Sequence, residues 1–328
     1  MLVNTENLLQ SPEMPMDPFA DILKLVSAET VISGGFTAGG SWAIRFPAPD
    51  KIKFCVIVRG GCWVRVEGEE DPMRAEVGDI LLLAAPRAFV LASDLTRAPV
   101  DAMSALANFV GGIASLGGGE DFSQIGGHVQ LDPVNGSLLA EVLPPWIHIR
   151  ADSPHATVLQ WIVDQLVREQ ANSPPGASLV SAQLAQLMFV QILRAQLQAS
   201  GALRAGWLRA LADPRIAPAL RLMHTDPGRS WNLEELAKAA TLSRTAFAVR
   251  FKTVAGVAPL TYLTEWRMRL AEKALREDSV PVAVLAQSLG YTSESAFSNA
   301  FKRVTGNAPK RYRVAARTSR KTQYDSIG

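Results

Sequence analysis

The sequence predicts a multidomain protein: an all-β barrel or sandwich at the N-terminus, a helical connector, and an all-α C-terminal domain holding two helix-turn-helix motifs. Three observations predict this. Residues 245–263 (TAFAVRFKTVAGVAPLTYL) recur as residues 295–313 (SAFSNAFKRVTGNAPKRYR), with nine of nineteen positions identical after a shift of 50, so one small module is present twice. Short strand-like runs separated by Gly, Pro and Asp fill the stretch from Val31 to about Val90. The net charge of +2 hides two opposed halves: residues 201–328 carry 21 Lys and Arg against 10 Asp and Glu, a balance of +11, while residues 1–200 carry 12 against 21, a balance of −9.

Residues 1–16 read as a polar lead-in, and Asp17–Leu25 as a short helix burying Ile22, Leu23 and Val26. Strands are expected over Ser41–Phe46, Phe54–Arg59, Cys62–Glu67, Ile80–Ala84 and Ala88–Ala92, with Gly60-Gly61 as a two-residue hairpin turn. Residues 101–127 are rich in Gly and Ala, and Gly126-Gly127-His128-Val129 begins another strand. Pro144-Pro145 opens the shift to helix. One helix is expected over His155–Gln170, then a break at Ser173-Pro174-Pro175-Gly176, then a second over Ala177–Ala199. The second is apolar on nearly every side and has to be covered from more than one direction. Packing within the chain and pairing with a second subunit through Leu184, Leu187 and Met188 both meet that need; the paired reading makes the protein a homodimer. Ser200–Trp207 is the expected linker.

In the first C-terminal module, Leu233, Leu236 and Ala237 share a helix face, Thr241-Leu242 turns, and Ser243 stands at a cap position. In the second, Pro281 suits a first helical turn, Val284, Leu285 and Leu289 supply the apolar face, Gly290 ends the helix, and Ser293 caps the next. Phe247 and Phe251 are four apart, as are Phe297 and Phe301. Each pair therefore faces inward and leaves the intervening positions outside. The helix between the modules, Leu260–Arg276, spans roughly 25 Å at 1.5 Å per residue and packs through Trp266, Leu270 and Leu275. A basic domain of this kind supplies the field that attracts DNA phosphates; a plain solvated charged surface is the alternative.

These residues resemble the DNA-binding domain of the AraC/XylS family of transcription regulators. Leu236-Ala237, Ser243, Phe247, Phe251-Lys252, Gly256, Pro259, Tyr262, Arg267 and Ala271 carry the likeness in the first half. Leu285-Ala286, Gly290-Tyr291, Ser293, Phe297, Phe301-Lys302, Gly306, Pro309 and Tyr312-Arg313 carry it in the second. Spacing and the family's pattern put Arg244, Thr245, Ala248 and Val249, then Glu294, Ser295, Ser298 and Asn299, at base-reading positions in the major groove. Lys252, Lys302, Arg303, Lys310, Arg311 and Arg313 are candidates for phosphate contacts, which position without reading sequence. Activation of transcription, and contact with RNA polymerase, are what the resemblance implies.

The N-terminal region resembles the cupin-like sensor of one branch of that family, through Asp17-Pro18, Trp42–Pro47, Arg59–Trp63 and Gly78-Asp79 followed by Ile80-Leu81-Leu82. Metal-binding cupins carry histidines near the places held here by Cys55 and Phe89, and none of His128, His148, His155 and His224 falls in the strand region. An ordinary cupin metal site and cupin catalysis are therefore not expected. Trp42, Arg45, Phe54, Trp63, Arg65 and His128 are candidates to line an effector pocket. Cys55 and Cys62 invite a redox reading. A hairpin at Gly60-Gly61 puts them three ladder steps apart, about 10 Å at 3.3 Å per residue, beyond the ~7 Å reach of a disulfide, and leaves Cys55 as a small hydrophobe.

The expected domains are 1–150 (sensor), 151–206 (connector and dimerisation), 207–316 (DNA-binding) and 317–328 (tail). A hydrophobic content of 48% suffices for sizeable cores, no apolar run reaches the ~18 residues a membrane span needs, and the start lacks the pattern of a signal peptide. The sequence thus reads as a cytoplasmic, non-enzymatic regulator that needs no cofactor, binds double-stranded DNA and answers to an unknown small-molecule effector. A thiol-based redox regulator and a cupin-type enzyme fused to a DNA-binding domain are the rivals.

Overall fold

A computed structural model of the chain describes residues 17–107, 109–110, 112–154, 156–198, 203–277 and 280–316. The expected lead-in, His155, the first three residues of the linker and the tail lie outside them. The chain divides into two compact units, one spanning Val26–Arg204 and one joining the segment up to Leu25 to the segment from Ala205.

The elements in chain order begin with α1 (Pro18–Leu25), β1 (Glu29–Ala38), β2 (Ala43–Phe46), β3 (Ile52–Arg59), β4 (Gly61–Val66), β5 (Met73–Glu76), β6 (Ile80–Leu83), β7 (Phe89–Ala92) and β8 (Val100–Asp101). They continue with α2 (Ala102–Ala105), β9 (Phe109–Val110), β10 (Ile113–Leu116), β11 (Phe122–Gln130), α3 (Ser137–Ala140), β12 (Trp146–Ile149), α4 (Ala156–Asn172) and α5 (Ala177–Gln198). The C-terminal helices are α6 (Trp207–Ala212), α7 (Ala217–Thr225), α8 (Leu233–Ala239), α9 (Arg244–Ala255), α10 (Pro259–Glu277), α11 (Val282–Ser288) and α12 (Glu294–Thr305).

The Val26–Arg204 unit is a sandwich of two sheets, ordered β12-β6-β3-β11-β1-β10-β9 and β5-β4-β7-β2-β8. Alternation along the strands sends Phe36, Ile44, Cys55, Ile57, Cys62, Val64, Leu81 and Leu91 into one core between them. The Gly60-Gly61 hairpin is not formed. β3 belongs to the first sheet and β4 to the second, so the chain changes sheet at Gly60. Gly60 has φ 67°, and a Cβ there would sit 2.2 Å from the Asp121 carbonyl oxygen, so the corner needs glycine. Cys55 and Cys62 therefore sit on facing sheets of one core rather than along one ladder, so the ladder count of their separation does not apply.

Asp79 explains the Gly78-Asp79 pair. Its nearly buried carboxylate accepts from the Glu76 and Ala151 amides at 3.1 and 2.8 Å and from His148 Nε2 at 2.7 Å, so one side chain ties the β5–β6 turn to the chain leaving β12.

Helices α4 and α5 pack on each other and on β3 and β1, and Thr30 Oγ1 donates to Gln186 Oε1 at 3.0 Å. The length and composition of α5 would suffice to cross a membrane, yet one side of it is the cover of this sheet. Met188, expected at a subunit contact, is fully buried inside the unit; Leu184 is half-buried and Leu187 is 39% exposed.

In the other unit, α1 packs against α6, α7 and α10 rather than with the strands it precedes. Phe19 meets the Trp207 ring at 6.5 Å, and Ile22 and Leu25 are buried. The last helical core gathers Met268, Ala271 and Leu275 of α10 with Val282, Leu285, Leu289, Phe297 and Phe301. Val282 fills the place expected of Val284, which is 52% exposed: with Pro281 as the cap, the buried stripe starts one residue after it.

Candidate nucleic-acid interface

Each candidate reading helix is built by the same local chemistry. Ser243 accepts from the Ala246 amide at 3.3 Å and Ser293 from the Ala296 amide at 3.1 Å, satisfying N-terminal donors that the helix cannot satisfy itself. Gly256 (φ 81°) and Gly306 (φ 78°) close the two helices in the left-handed conformation. Phe247, Phe251, Phe297 and Phe301 are fully buried. In each pair the rings contact one another, at 5.6 and 5.7 Å, and the second ring meets Tyr262 or Tyr312. Ahead of α9, Asn232 and Glu235 form a reciprocal capping box on α8.

With those faces inward, Arg244, Thr245 and Val249 are exposed and Ala248 half-exposed on α9; Ser295 and Asn299 are exposed and Glu294 and Ser298 half-exposed on α12. All eight candidate base-reading positions thus reach solvent. Their chemistry differs between modules: α9 offers a guanidinium, a hydroxyl and apolar surface, α12 a carboxylate, two hydroxyls and a carboxamide. Glu294 is held by Lys310 Nζ at 3.3 Å.

Lys252, Lys302, Arg303, Lys310 and Arg311 are exposed. Arg313 is not placed like them: its half-buried guanidinium donates to the Val280 carbonyl, tying the segment after α12 to the start of α11. Arg267 likewise donates to the carbonyls of Pro227 and Arg229 and lies 5.9 Å from the Tyr291 ring centroid, so it holds the α7–α8 loop and touches the second module.

Arg250 escaped the sequence reading. Its guanidinium forms a two-bond contact with Asp213, at 2.9 Å from Nε and 2.8 Å from Nη2, on the wall of a wide groove that also includes Arg209, Thr245 and Val249. Burial works against the Asp213 charge, but Arg250 and the Arg215 and Ile216 amides outweigh it and hold the carboxyl below its ordinary range. The signal was a lone Asp before Pro214, whose partner is 37 residues away.

The candidate effector residues are dispersed. Trp42 is buried in the sandwich core, edge-on to Phe36 at 5.5 Å. Arg45 and Arg65 point to solvent, and Trp63 lies on the outer face beneath Arg74, 5.7 Å from its ring. Only Phe54 of the six lines the cavity of this unit. His128 hydrogen-bonds Ser33, a lining residue, at 3.0 Å. Phe46, Phe89, Leu91, Met103, Gln124 and Cys55 also line it; they were missed because the side a strand shows inward is fixed by sheet pairing, which sequence spacing leaves open.

Both cysteines are free and buried. Cys55 Sγ donates to Gln124 Oε1 at 3.1 Å. Burial raises both thiols, Cys55 well above its ordinary value and Cys62 to about 12.

Comparison with known proteins matches this layout. A cupin family model matches residues 17–198, and a helix-turn-helix domain model matches residues 236–315. A putative AraC-like transcription regulator of Streptomyces antibioticus is 43% identical over 298 residues, 91% of this chain and 98% of its own length. The chain belongs to the AraC family of transcription regulators. Another relative, the HTH-type transcriptional regulator AlkR of Acinetobacter baylyi, is 30% identical over 288 residues, 84% of this chain and 91% of its own. Among solved structures, the DNA-binding domain of AdpA in complex with a target DNA is 31% identical and covers 33% of this chain and 97% of that one, with a TM-score of 0.32. As an AraC-family regulator the chain binds double-stranded DNA, and the two capped helices are its candidate reading elements.

Proposed function

We propose that the protein is an effector-controlled activator: a small molecule bound in the Val26–Arg204 unit alters how the two reading helices engage an operator, and the DNA-bound protein contacts RNA polymerase. The observation that carries the reading is the repeated pair of serine-capped helices, each fixed by two buried phenylalanines and each presenting polar side chains outward. Phosphate contacts come from Lys252, Lys302, Arg303, Lys310 and Arg311, with Arg250 added by its place on the α9 groove. A homodimer formed through the outer side of α5 is part of the proposal, supported by the exposure of Leu179, Val180 and Leu187.

The experiment is binding of purified protein to DNA from its own gene neighbourhood and to scrambled DNA across a salt series. Preference for the first, with affinity falling steeply as salt rises, is expected. Equal weak binding to both by the full chain and by residues 205–328 alone would sink it.

Thiol-based control has less support. A thiol is reactive as its thiolate, and burial keeps both thiols protonated at neutral pH. Labelling of the folded protein with a thiol reagent is expected to leave both unmodified. For the fused-enzyme reading, the described residues contain no group of three or more His, Cys, Asp and Glu placed to hold a metal.

A further inference from the structure

Within the Val26–Arg204 unit lies a cavity of about 430 Å³, in the size range of small-molecule sites. It exists because β1 and β11 bring glycines together: Gly34 pairs with Gly126 and Ile32 with Gly127, which strips side chains from that stretch of wall. Opposite it, Phe46 and Phe89 are stacked at 4.7 Å and 6°. Helix α2 contributes Met103, which is 79% exposed, and the adjoining Leu106.

Of the polar side chains in this lining, Ser33 is taken up by His128, which leaves Gln124 and Lys53. Gln124 is 8% exposed; its Oε1 accepts from Cys55, while its Nε2 donates to no described residue. The Gln124 amide thus offers a donor at the cavity wall, and a ligand acceptor there would pair with it. Among the described residues, Lys53 is the only charged one lining the cavity. Strand alternation puts it on the same side of β3 as Cys55 and Ile57, which face the core, and it forms no ion pair among the described residues. Lys51 adds to the positive field at this end: burial first, then Lys51 and Lys53, lower the His128 pKa against the opposing pull of Asp50.

We propose that the cavity binds a small organic monocarboxylate, its carboxylate on the Lys53 ammonium, its apolar body between the Phe46–Phe89 pair and α2, and an acceptor atom at its inner end on the Gln124 amide. The role of this ligand as effector rests on the function proposed above; its chemical class rests on the cavity alone. Aliphatic and aromatic acids share the required chemistry, and the test separates them.

The test is calorimetric titration of the full-length protein with octanoate and 3-phenylpropanoate, each compared with its alcohol and its amine. At least one acid is expected to bind tenfold or more tighter than its own alcohol and amine. Lys53→Met should remove that advantage while leaving the alcohol within about twofold, and Lys53→Arg should restore it. With a keto group at the far end of the acid, affinity is expected to rise in the wild type and not in Gln124→Leu. Alcohols that bind as well as acids, acids indifferent to Lys53→Met, or no binding of either acid would each overturn the proposal, and the wild-type series alone decides if a variant fails to fold. Operator binding measured in the same samples keeps the two readings apart. Acid binding without any change in DNA binding supports the ligand class and sinks the effector role, whereas DNA binding that responds to the alcohols alone does the reverse.

Discussion

At the scale of single residues, His224 is the clearest case of chemistry set by surroundings. Its buried ring stacks on Trp266 at 4.1 Å, its Nε2 lies 2.8 Å from the Tyr262 hydroxyl, and its Nδ1 is 3.6 Å from Asp21. Burial lowers its pKa despite the opposing pull of Asp21 and Asp17. The unfolded chain then binds a proton that the folded one refuses, so stability rises with pH below about 6.5 and falls on acidification until the folded pKa is passed. Urea midpoints of the helical unit are expected to drop between pH 7 and pH 5.5, and His224→Phe should flatten that slope. Base reading and phosphate contact separate at the same scale. Arg244→Ala should cost about 1–3 kcal/mol on operator DNA and little on scrambled DNA. Lys302→Ala should weaken both alike and reduce the salt slope by about one. Single residues were also where sequence reading was strongest for caps and weakest for partners. Ser243, Ser293, Gly256 and Gly306 act through neighbours within four positions, which a sequence displays. Arg250 with Asp213 and Arg313 with Val280 act across more than thirty, which it does not.

At the scale of elements, the duplicated modules were legible because their signals are local and doubled: a helical period, a cap, a glycine stop and two phenylalanines. The sandwich was legible in kind but not in pairing. Strands β3, β4, β6 and β7 lie close to where composition places them, but β1 went unread, since its Ser33-Gly34-Gly35 run looks like a loop until β11 pairs beside it. The same gap in information produced the false hairpin at Gly60. Helix α5 shows how an all-round apolar composition resolves in space. Leu187→Asp lies on the outer side and is expected to shift a dimer to monomer in sedimentation with little change in melting temperature. Met188→Asp places a charge in the core, and burying an unpaired charge is costly, so it should unfold the unit at any protein concentration.

At the scale of the whole molecule, acidic and basic sequence halves correspond to the β-rich and helical units, apart from α1, which belongs to the helical one. Charge partition was readable because it needs only counting. The assignment of α1 was not, because it depends on which of two apolar surfaces receives Phe19, Ile22 and Leu25. The repeated module carries a last consequence. Scaffold residues are shared between the copies, while the outward positions are Arg, Thr, Ala and Val in one and Glu, Ser, Ser and Asn in the other. On the function proposed above, two unlike readers in fixed order along one chain give the bound chain a heading: its stretch of duplex has a front and a back, as a word does. Turning one half-site end for end, with base composition and spacing kept, should then lower affinity in a gel-shift titration as much as changing the bases themselves.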